Sequence, residues 1–351
     1  MSEGAGMLTA DLANPYRLPS YFGDPEAEYA ALRERAIVVD RTARGRMRLT
    51  GEKSRDVLAG LVTNDIAALQ PLRGLYAAAL TPKGKIIIDL RVYARDTEIW
   101  IDGPPLAWDG WWQTVRKYIN PRLARYEDLS TRFASLGVYG VAAASLLARA
   151  INIPASVLEA LEPYAHVPLD GEGDGGLVAR VPDAGVTGFE LWIPSEALDA
   201  ARQRIVAAGI EPAGAVTADL VRIEAGRPEW GIDMDEGTLV QEANMDELQA
   251  ISYTKGCYTG QETVARVHFR GHVNRSLRGL LLPDSGAELP ARGTELLASD
   301  GKSVGDVRSR ARSPRHGGIA LAMIRREVAS GDSVSVAGLE GSARVVELPF
   351  D

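Results

Sequence analysis

Cysteine and histidine are scarce in this chain, and their scarcity removes several classes of site. Among 351 residues there is one cysteine, Cys257, and there are four histidines. A single thiol forms no disulfide within the chain, and it does not supply the several cysteines of a protein-only zinc or cluster site. The histidines show no paired metal-binding spacing either. The sequence therefore predicts no metal site.

Long apolar runs and an excess of positive charge are also missing. No segment approaches the roughly 18 apolar residues of a membrane-spanning helix, and residues 1–17 lack the basic start and apolar stretch of a secretory signal. The chain carries 47 acidic against 39 basic side chains, a formal net charge of −8, which disfavours direct nucleic-acid binding. Together with the single thiol, these features indicate a soluble, cytoplasmic protein without membrane contact.

Helical and strand-like patterns alternate along the chain without a regular βαβ rhythm, which predicts an α+β fold. Asp24 followed by Pro25 is typical of a helix start. The turn residues 81–84, Thr-Pro-Lys-Gly, join two strand-like stretches at residues 74–80 and 85–94. The chain contains neither a phosphate-binding P-loop nor a Gly-x-Ser-x-Gly nucleophile elbow, so those two enzyme classes receive no support.

The pattern changes after Asn274. Glycine and proline recur, helical periodicity fades, and short runs rich in valine and leucine follow one another. Several short strands with regular turn signals predict a small antiparallel β-barrel. We therefore expect two regions, a first one of residues 1–273 made of two subdomains and a barrel domain of residues 274–351.

The most unusual segment surrounds the single cysteine. Residues 255–262 read Lys-Gly-Cys-Tyr-Thr-Gly-Gln-Glu, so two glycines bracket Cys257 and permit close approach by a partner. Lys255 can favour the reactive thiolate, while Gln261 and Glu262 add hydrogen-bonding and acid–base capacity. These four residues form the candidate catalytic set. The alternative is an inert, buried cysteine in a glycine-rich turn.

A basic, alternating segment follows directly. In residues 263–270, Arg266, His268 and Arg270 alternate with apolar side chains, which predicts a half-buried strand with one basic face. That face is a candidate site for an anion. The alternative is a solvated strand face.

Two further segments contain candidate ligand-binding residues. In residues 188–193, Glu190 and Trp192 share one strand face, where a carboxylate beside a tryptophan supplies an acceptor and a stacking wall for a flat nitrogen heterocycle. The alternative is an exposed glutamate. Arg222, at the end of a predicted helix, can pair with a buried carboxylate or a ring carbonyl, or it can lie free on the surface.

The segment around Cys257 also carries a family resemblance. Residues 255–262 resemble the K-G-C-Y-x-G-Q-E signature of the YgfZ family, and residues 270–275 resemble a second stretch of it. Wider similarity to the T-protein (aminomethyltransferase) of the glycine cleavage system covers residues 61–66, 84–90, 187–191, 222–226 and 230–234. The chain is thus identified as a member of the YgfZ-like branch of the folate-binding T-protein superfamily.

The resemblance implies a ring-shaped set of domains around a central folate pocket, capped by the C-terminal barrel. Tetrahydrofolate or a derivative would be the ligand. Glu190 would hold the nitrogen edge of the pterin ring, and Arg222 would support its recognition. The full set of expected cofactor-binding residues is Glu190, Arg222, Asn64, Asp65, Asp89, Trp192 and Tyr258.

One departure from the resemblance bears on activity. T-proteins usually have two adjacent aspartates in the strand that resembles residues 84–90, whereas this chain has Ile88 followed by Asp89. Isoleucine neither accepts nor donates a proton. The departure therefore argues against aminomethyl transfer, and the cysteine signature indicates a different role.

Three functions compete at this point. The expected one is a folate-binding protein that supports assembly or maintenance of iron–sulfur proteins, including radical enzymes that modify tRNA. Cys257 would be its working thiol, and iron–sulfur client or assembly proteins would be its partners. The alternative is a tetrahydrofolate-dependent aminomethyl or one-carbon transferase. The third is direct tRNA binding, disfavoured by the acidic net charge, through a basic run of Arg308, Arg310, Arg312 and Arg315.

Overall fold

The structure is a computed structural model that describes residues 14–169, 175–283 and 288–350. The first helix starts where the sequence predicts it, because the Asp24 side chain accepts a hydrogen bond from the Glu26 amide and Pro25 is the first helical residue. Within the described residues, no helix is both long enough and apolar enough to cross a membrane.

Helices and strands alternate through the first region of the chain. Their order is α1 (Pro25–Glu34), β1 (Ile37–Asp40), β2 (Gly45–Thr50), α2 (Ser54–Ala59), β3 (Gly74–Leu80), β4 (Ile86–Ala94), β5 (Glu98–Gly103), α3 (Trp108–Tyr118), β6 (Arg125–Asp128), β7 (Phe133–Tyr139), α4 (Ala143–Ile151), α5 (Ala155–Glu159), β8 (His166–Pro168), β9 (Leu177–Arg180), β10 (Gly188–Pro194), α6 (Leu198–Ala207), β11 (Glu211–Pro212), α7 (Ala215–Glu224) and α8 (Gln261–Arg270).

These strands form two sheets. One sheet has six strands in the order β11-β1-β7-β10-β9-β8, and the other has five in the order β3-β4-β5-β2-β6. The hairpin of β3 and β4 is joined at the predicted turn, where Gly84 adopts a φ of 74° that only glycine reaches without strain.

A closed antiparallel barrel follows. Its strands are β12 (Arg275–Leu281), β13 (Glu295–Leu297), β14 (Ser303–Ser313), β15 (Gly317–Arg325), β16 (Ser333–Val336) and β17 (Ser342–Val346). They pair in the order β12-β15-β14-β13-β16-β17, and β17 closes onto β12. The predicted α+β fold with several domains and a C-terminal barrel is confirmed.

Each sheet turns one face to helices and the other face to the opposite sheet. On β10, Leu191 lies in a core shared with α4 and α6, whereas the neighbouring Glu190 points the other way. On β4, Leu90 lies in a core shared with α2 and α3, whereas Arg91 points away from it. Because Arg91 and Glu190 contact each other, these two faces meet in the middle of the molecule.

The barrel is fastened to this layered region through α7. The Arg222 guanidinium donates to the Ser309 hydroxyl at 2.6 Å, and the Ser309 amide donates to Asp233 at 3.0 Å. At the end of α7, Glu224 accepts from the Tyr29 and Ser313 hydroxyls. The polar side chains of α7 therefore lie at the junction of helix α1, the sheets and the barrel.

The strand predicted over residues 263–270 is wrong, because these residues form helix α8. Only Val264 of this helix is fully buried, with Val267 half-buried three positions later. Spacing of three residues matches one helical face. A segment this short can fit the two-residue period of a strand and also the spacing of a helical face. The basic residues Arg266, His268 and Arg270 are exposed on the helix and do not form the face of a strand.

Candidate active site

A buried ion-pair network lies between the two sheets. The Arg91 guanidinium on β4 contacts Glu190 at 3.0 Å, Asp102 at 3.5 Å and Asp183. Glu190 is fully buried, and its second oxygen accepts a hydrogen bond from the Ser135 hydroxyl on β7. Glu190 is therefore not an exposed glutamate, and both of its oxygens already have partners within the protein.

A second arginine supports the same network from β2. The Arg44 guanidinium donates to Asp102 through both Nε, at 3.0 Å, and Nη2, at 2.6 Å. Asp102 on β5 thus lies between two arginines, and the side chains of Arg44 and Asp102 are nearly fully buried. Paired charges of this kind avoid the desolvation penalty of an isolated buried charge.

Asp89 is a buried carboxyl two positions before Arg91 on β4, and it keeps a free oxygen. Its Oδ2 accepts a hydrogen bond from the Tyr76 hydroxyl at 3.0 Å, while its buried Oδ1 has no partner among the described residues. Burial raises the pKa of Asp89 from 3.8 to about 6, against the lowering influence of Arg44. A carboxyl with such a pKa can exchange a proton near neutral pH.

The neighbouring position does not face this site. Ile88 is fully buried in the core beneath α2 and α3, on the opposite side of β4 from Asp89. The strand alternation allows only one of two consecutive residues to reach the site. The inference that Ile88 removes a site carboxylate is therefore wrong, because Asp89 supplies the carboxylate on the site face.

Arg222 on α7 lies in a second set of ion pairs. It contacts Asp219 at 2.5 Å and Asp233 at 2.7 Å. Of the alternatives for Arg222, the structure shows the buried ion pair. Burial raises the pKa of Asp219 to about 6 even though Arg222 lowers it, so this carboxyl also titrates within two pH units of neutrality.

A small cavity of about 30 Å³ adjoins Arg222. Tyr16 covers it, since the Tyr16 hydroxyl donates to Glu229 at 2.9 Å and the Arg41 guanidinium lies 4.5 Å from the centre of the Tyr16 ring. The cavity has room for little more than water in this state. The residues that line it include Tyr16, Leu18, Arg41, Asp219, Arg222 and Glu229.

Trp192 shares the inner face of β10 with Glu190, but it does not form a stacking wall for a ligand. Its ring stacks on Trp100, with centres 5.1 Å apart, and it contacts Tyr93 and Phe133 edge-on or tilted. It is fully buried. The prediction for Trp192 is wrong because Trp100 and Tyr93 from the opposite sheet, together with Phe133 from the neighbouring strand β7, cover the ring.

Asn64 and Asp65 are occupied with backbone groups. The Asn64 amide donates to the carbonyls of Tyr76 and Gln249, each at 2.8 Å. The Asp65 carboxylate accepts from the amides of residues 67 and 68. Asn64 thus joins β3 to the backbone at Gln249, and Asp65 closes the turn that follows it. Strand β3 in turn carries Tyr76, the partner of Asp89.

The segment around Cys257 is built on anchored backbone. Lys255 donates to the carbonyls of Ala59 and Val62 at 2.5 and 2.6 Å, and burial lowers its pKa to about 8. Tyr258 is buried in the main core with the Lys255 ammonium 4.9 Å from its ring centre. Cys257 itself is exposed, which excludes the alternative of a buried thiol.

The other two members of the predicted catalytic set begin α8. Gln261 is half-buried and Glu262 is exposed in the first turn. In the parts of the chain that the structure describes, no hydrogen bond or ion pair joins Lys255, Cys257, Gln261 or Glu262 to Asp89 or Glu190. The structure thus separates the predicted catalytic set from the carboxylates between the sheets.

Sequence reasoning missed the arginines of the site. Arg41 and Arg44 flank the start of β2, and Arg91 interrupts the apolar strand β4. A charged residue within an otherwise apolar strand was the available signal, because buried charges require partners. Asp183 gave no such signal, since it lies in a turn-rich segment, and Ser135 gave none because it is uncharged, although its strand β7 is apolar.

Comparison with known proteins gives consistent matches along most of the chain. Residues 3–252 match the GCVT N-terminal domain, and residues 275–351 match the glycine cleavage T-protein C-terminal barrel domain. A protein from Ralstonia nicotianae named aminomethyltransferase is 31% identical over 350 residues, covering 95% of this chain and 91% of that protein. One from a Nostoc species, with the same name, is 28% identical and covers 95% and 90%.

A solved structure has the same fold. The crystal structure of the glycine cleavage system aminomethyltransferase T from Bartonella henselae superimposes with a TM-score of 0.83, covering 93% of this chain and 89% of that one. The sequence identity is 21%. The likeness therefore concerns the arrangement of the two sheets, the helices and the barrel.

Proposed function

Because the chain belongs to the glycine cleavage T-protein (aminomethyltransferase) family, we propose that it is a tetrahydrofolate-dependent aminomethyl or one-carbon transferase. Tetrahydrofolate is the substrate or cofactor that this family uses. The observation that carries the proposal is Asp89, a buried carboxyl with one free oxygen and a pKa of about 6 between the two sheets.

The expected role in assembly or maintenance of iron–sulfur proteins is wrong. Relatives that match at least nine-tenths of this chain carry the name aminomethyltransferase. The isoleucine at position 88 argued against aminomethyl transfer, but the neighbouring Asp89 provides a carboxylate. The expectation of iron–sulfur client or assembly proteins as partners has no support without that role. Membership of the YgfZ-like branch, which rests on residues 255–262 and 270–275, stays a prediction, as does a cytoplasmic location.

The side chains between the sheets suit a pterin. Asp89 Oδ1 and the Tyr139 hydroxyl are buried polar atoms without hydrogen-bond partners among the described residues. The charged groups that act on Tyr139 include Arg41, Glu190, Asp183 and Arg91. Buried polar groups left unsatisfied by the protein are costly, and the ring nitrogens and carbonyl of a pterin are the kind of group that would satisfy them.

The chemistry assigned to this chain is proton transfer and orientation. When bound, tetrahydrofolate would supply the nitrogen that takes the one-carbon unit as the bond between that carbon and the donor breaks. Asp89 can take a proton from that nitrogen or give one to the departing amine, because its pKa lies near the operating pH. Tyr76 orients the Asp89 carboxyl through its hydroxyl, and the Arg44 guanidinium favours the ionised form of that carboxyl.

The proposal is tested by measuring methylene-tetrahydrofolate formed from an aminomethylated donor. We expect Asp89→Asn to lower the turnover by about a hundredfold or more, the range of general acid–base catalysis. Asp109→Asn, at an exposed position on α3, is the matched control and should turn over at the rate of the wild type. Turnover by Asp89→Asn at the wild-type rate, or none by a wild type that binds tetrahydrofolate, would refute the proposal.

A further inference from the structure

The Arg41 guanidinium lacks an acidic partner. It lies in the wall of the cavity beside α7, and its buried Nε has no hydrogen-bond partner in the described part of the chain. Among those residues no carboxylate lies within ion-pair distance of Arg41. Arg44 and Arg222, by contrast, pair with Asp102 and Asp233.

The contact that Arg41 does make is weak. The Tyr16 ring lies over the guanidinium at 4.5 Å, an interaction worth less than a buried ion pair. Glu190, a buried carboxylate that acts electrostatically on Arg41, is already engaged by Arg91 and Ser135. A guanidinium held partly out of water without a carboxylate is unfavourable unless a ligand supplies one.

The lining of the cavity also includes acidic groups. Glu229 is buried and accepts a hydrogen bond from the Tyr16 hydroxyl, and Asp219 on α7 forms an ion pair with Arg222. A ligand that reaches the cavity therefore meets a guanidinium and carboxylates in its lining. Tyr16 is the side chain that would give way, because it contacts both Arg41 and Glu229.

We propose that Arg41 binds a carboxylate of the ligand. Its planar guanidinium lies beside the Tyr16 ring, where no carboxylate of the described residues is within ion-pair distance. This rests on the proposed function, since the ligand is that of the transferase. The carboxylate has two possible sources. One is the glutamyl end of tetrahydrofolate, and the other is a small amine with a carboxylate, whose amino group would lie toward Glu229 and Asp219.

The test is titration calorimetry under anaerobic conditions with wild type, Arg41→Met and Arg41→Lys. The probes are tetrahydrofolate, 6-methyltetrahydropterin, which lacks the glutamyl end, and glycine and N-methylglycine as small carboxylated amines. Arg122→Met, at an exposed position after α3, is the matched control. Thermal unfolding of each variant verifies that the fold is intact.

Two results support the proposal and separate the sources. If the glutamyl end is bound, Arg41→Met weakens tetrahydrofolate binding about tenfold or more and leaves the tetrahydropterin unchanged. If a small amine is bound, Arg41→Met weakens glycine or N-methylglycine and leaves tetrahydrofolate unchanged. In either case Arg41→Lys should recover part of the affinity, because it keeps the charge without the two-pronged geometry.

Other results overturn it. Equal affinity of the wild type and Arg41→Met for every probe that binds would exclude Arg41 as a carboxylate site. If the wild type binds neither tetrahydrofolate nor the tetrahydropterin, the proposed function is refuted instead. Titration with glycine and N-methylglycine then tests the carboxylate site at Arg41 separately. Binding by the wild type that is lost in Arg41→Met supports the site, and no binding by the wild type rejects it.

Discussion

Arg91 on β4 and Glu190 on β10 lie 3.0 Å apart and join the inner faces of the two sheets, with side-chain exposures of 4% and 0%. The two residues are 99 positions apart in sequence. Their pairing brings a charged network into the centre of a molecule whose other sheet faces are apolar. Arg91 lies two positions after Asp89 on the same strand, β4.

We expect Arg91→Met to lower the free energy of unfolding by about 3–5 kcal/mol, because it leaves the carboxylate of Glu190 buried and unpaired. The double variant Arg91→Met with Glu190→Gln should recover part of this loss, since it removes both charges. Urea denaturation at pH 7.5 measures each value.

The surface pair of Arg278 and Glu347 is the control, with side-chain exposures of 32% and 63%. Arg278→Met should change the stability by no more than about 1 kcal/mol. An Arg91→Met protein as stable as Arg278→Met would show that the central pair is dispensable for folding.

Much of the fold could be predicted from local signals. Asp24 and Pro25 start a helix, and the recurrent glycines after Asn274 separate the strands of a barrel. The strand prediction for residues 263–270 failed because a segment of eight residues can fit both a strand and a short amphipathic helix. Periodicity alone could not show that Val264 and Val267 lie on one buried face.

The site was only half predictable. The resemblance to T-proteins predicts Glu190 and Arg222 as cofactor-binding residues, and that role stays a prediction. The partners of these residues could not be foreseen, because they come from distant segments. Arg91 and Asp102 meet only because β4 pairs with β5 and both sheets pack face to face. Trp192 was misjudged for the same reason, since nothing local reveals that Trp100 covers it.

The stability of the protein should depend on pH through Asp89. Its folded pKa is raised from 3.8 to about 6, so the native state binds more protons than the unfolded state between these values. Stability from this group is present below pH 4 and is lost as the pH rises through 6, by up to about 3 kcal/mol. Asp89→Asn should therefore be more stable than the wild type at pH 7.5, although it loses the transfer activity.

Urea denaturation of both proteins at pH 4.5 and 7.5 checks this. The difference between Asp89→Asn and the wild type should be larger at pH 7.5 than at pH 4.5. Asp109→Asn serves again as the exposed control. A difference that does not vary with pH would mean that Asp89 titrates near its ordinary value.

His166 should act in the opposite direction. His166 is buried, and burial together with the Arg95 guanidinium lowers its pKa from 6.5 to about 4. The unfolded state therefore binds the proton first, and stability is lost as the pH falls from 6.5 to 4, by up to about 3 kcal/mol.

We expect His166→Phe to unfold less readily than the wild type at pH 4.5 and to match it within about 1 kcal/mol at pH 7.5. The phenyl ring keeps the edge contact with Tyr93. His272→Gln, at an exposed position, should leave the pH profile unchanged. If His166→Phe retains the acid sensitivity of the wild type, another group is responsible for it.

The segment at residues 255–262 separates into a structural lysine and an exposed thiol. Lys255 satisfies two carbonyls, those of Ala59 and Val62, so Lys255→Met should lower the free energy of unfolding by about 2 kcal/mol. Cys257→Ser removes no such contact and should change stability by less than about 0.5 kcal/mol. In the transfer assay, Cys257→Ser should form methylene-tetrahydrofolate at the wild-type rate, because the reaction assigned to Asp89 needs no thiol. A fall in turnover with unchanged stability would mean that Cys257 takes part in the reaction, and the assignment to Asp89 alone would then fail.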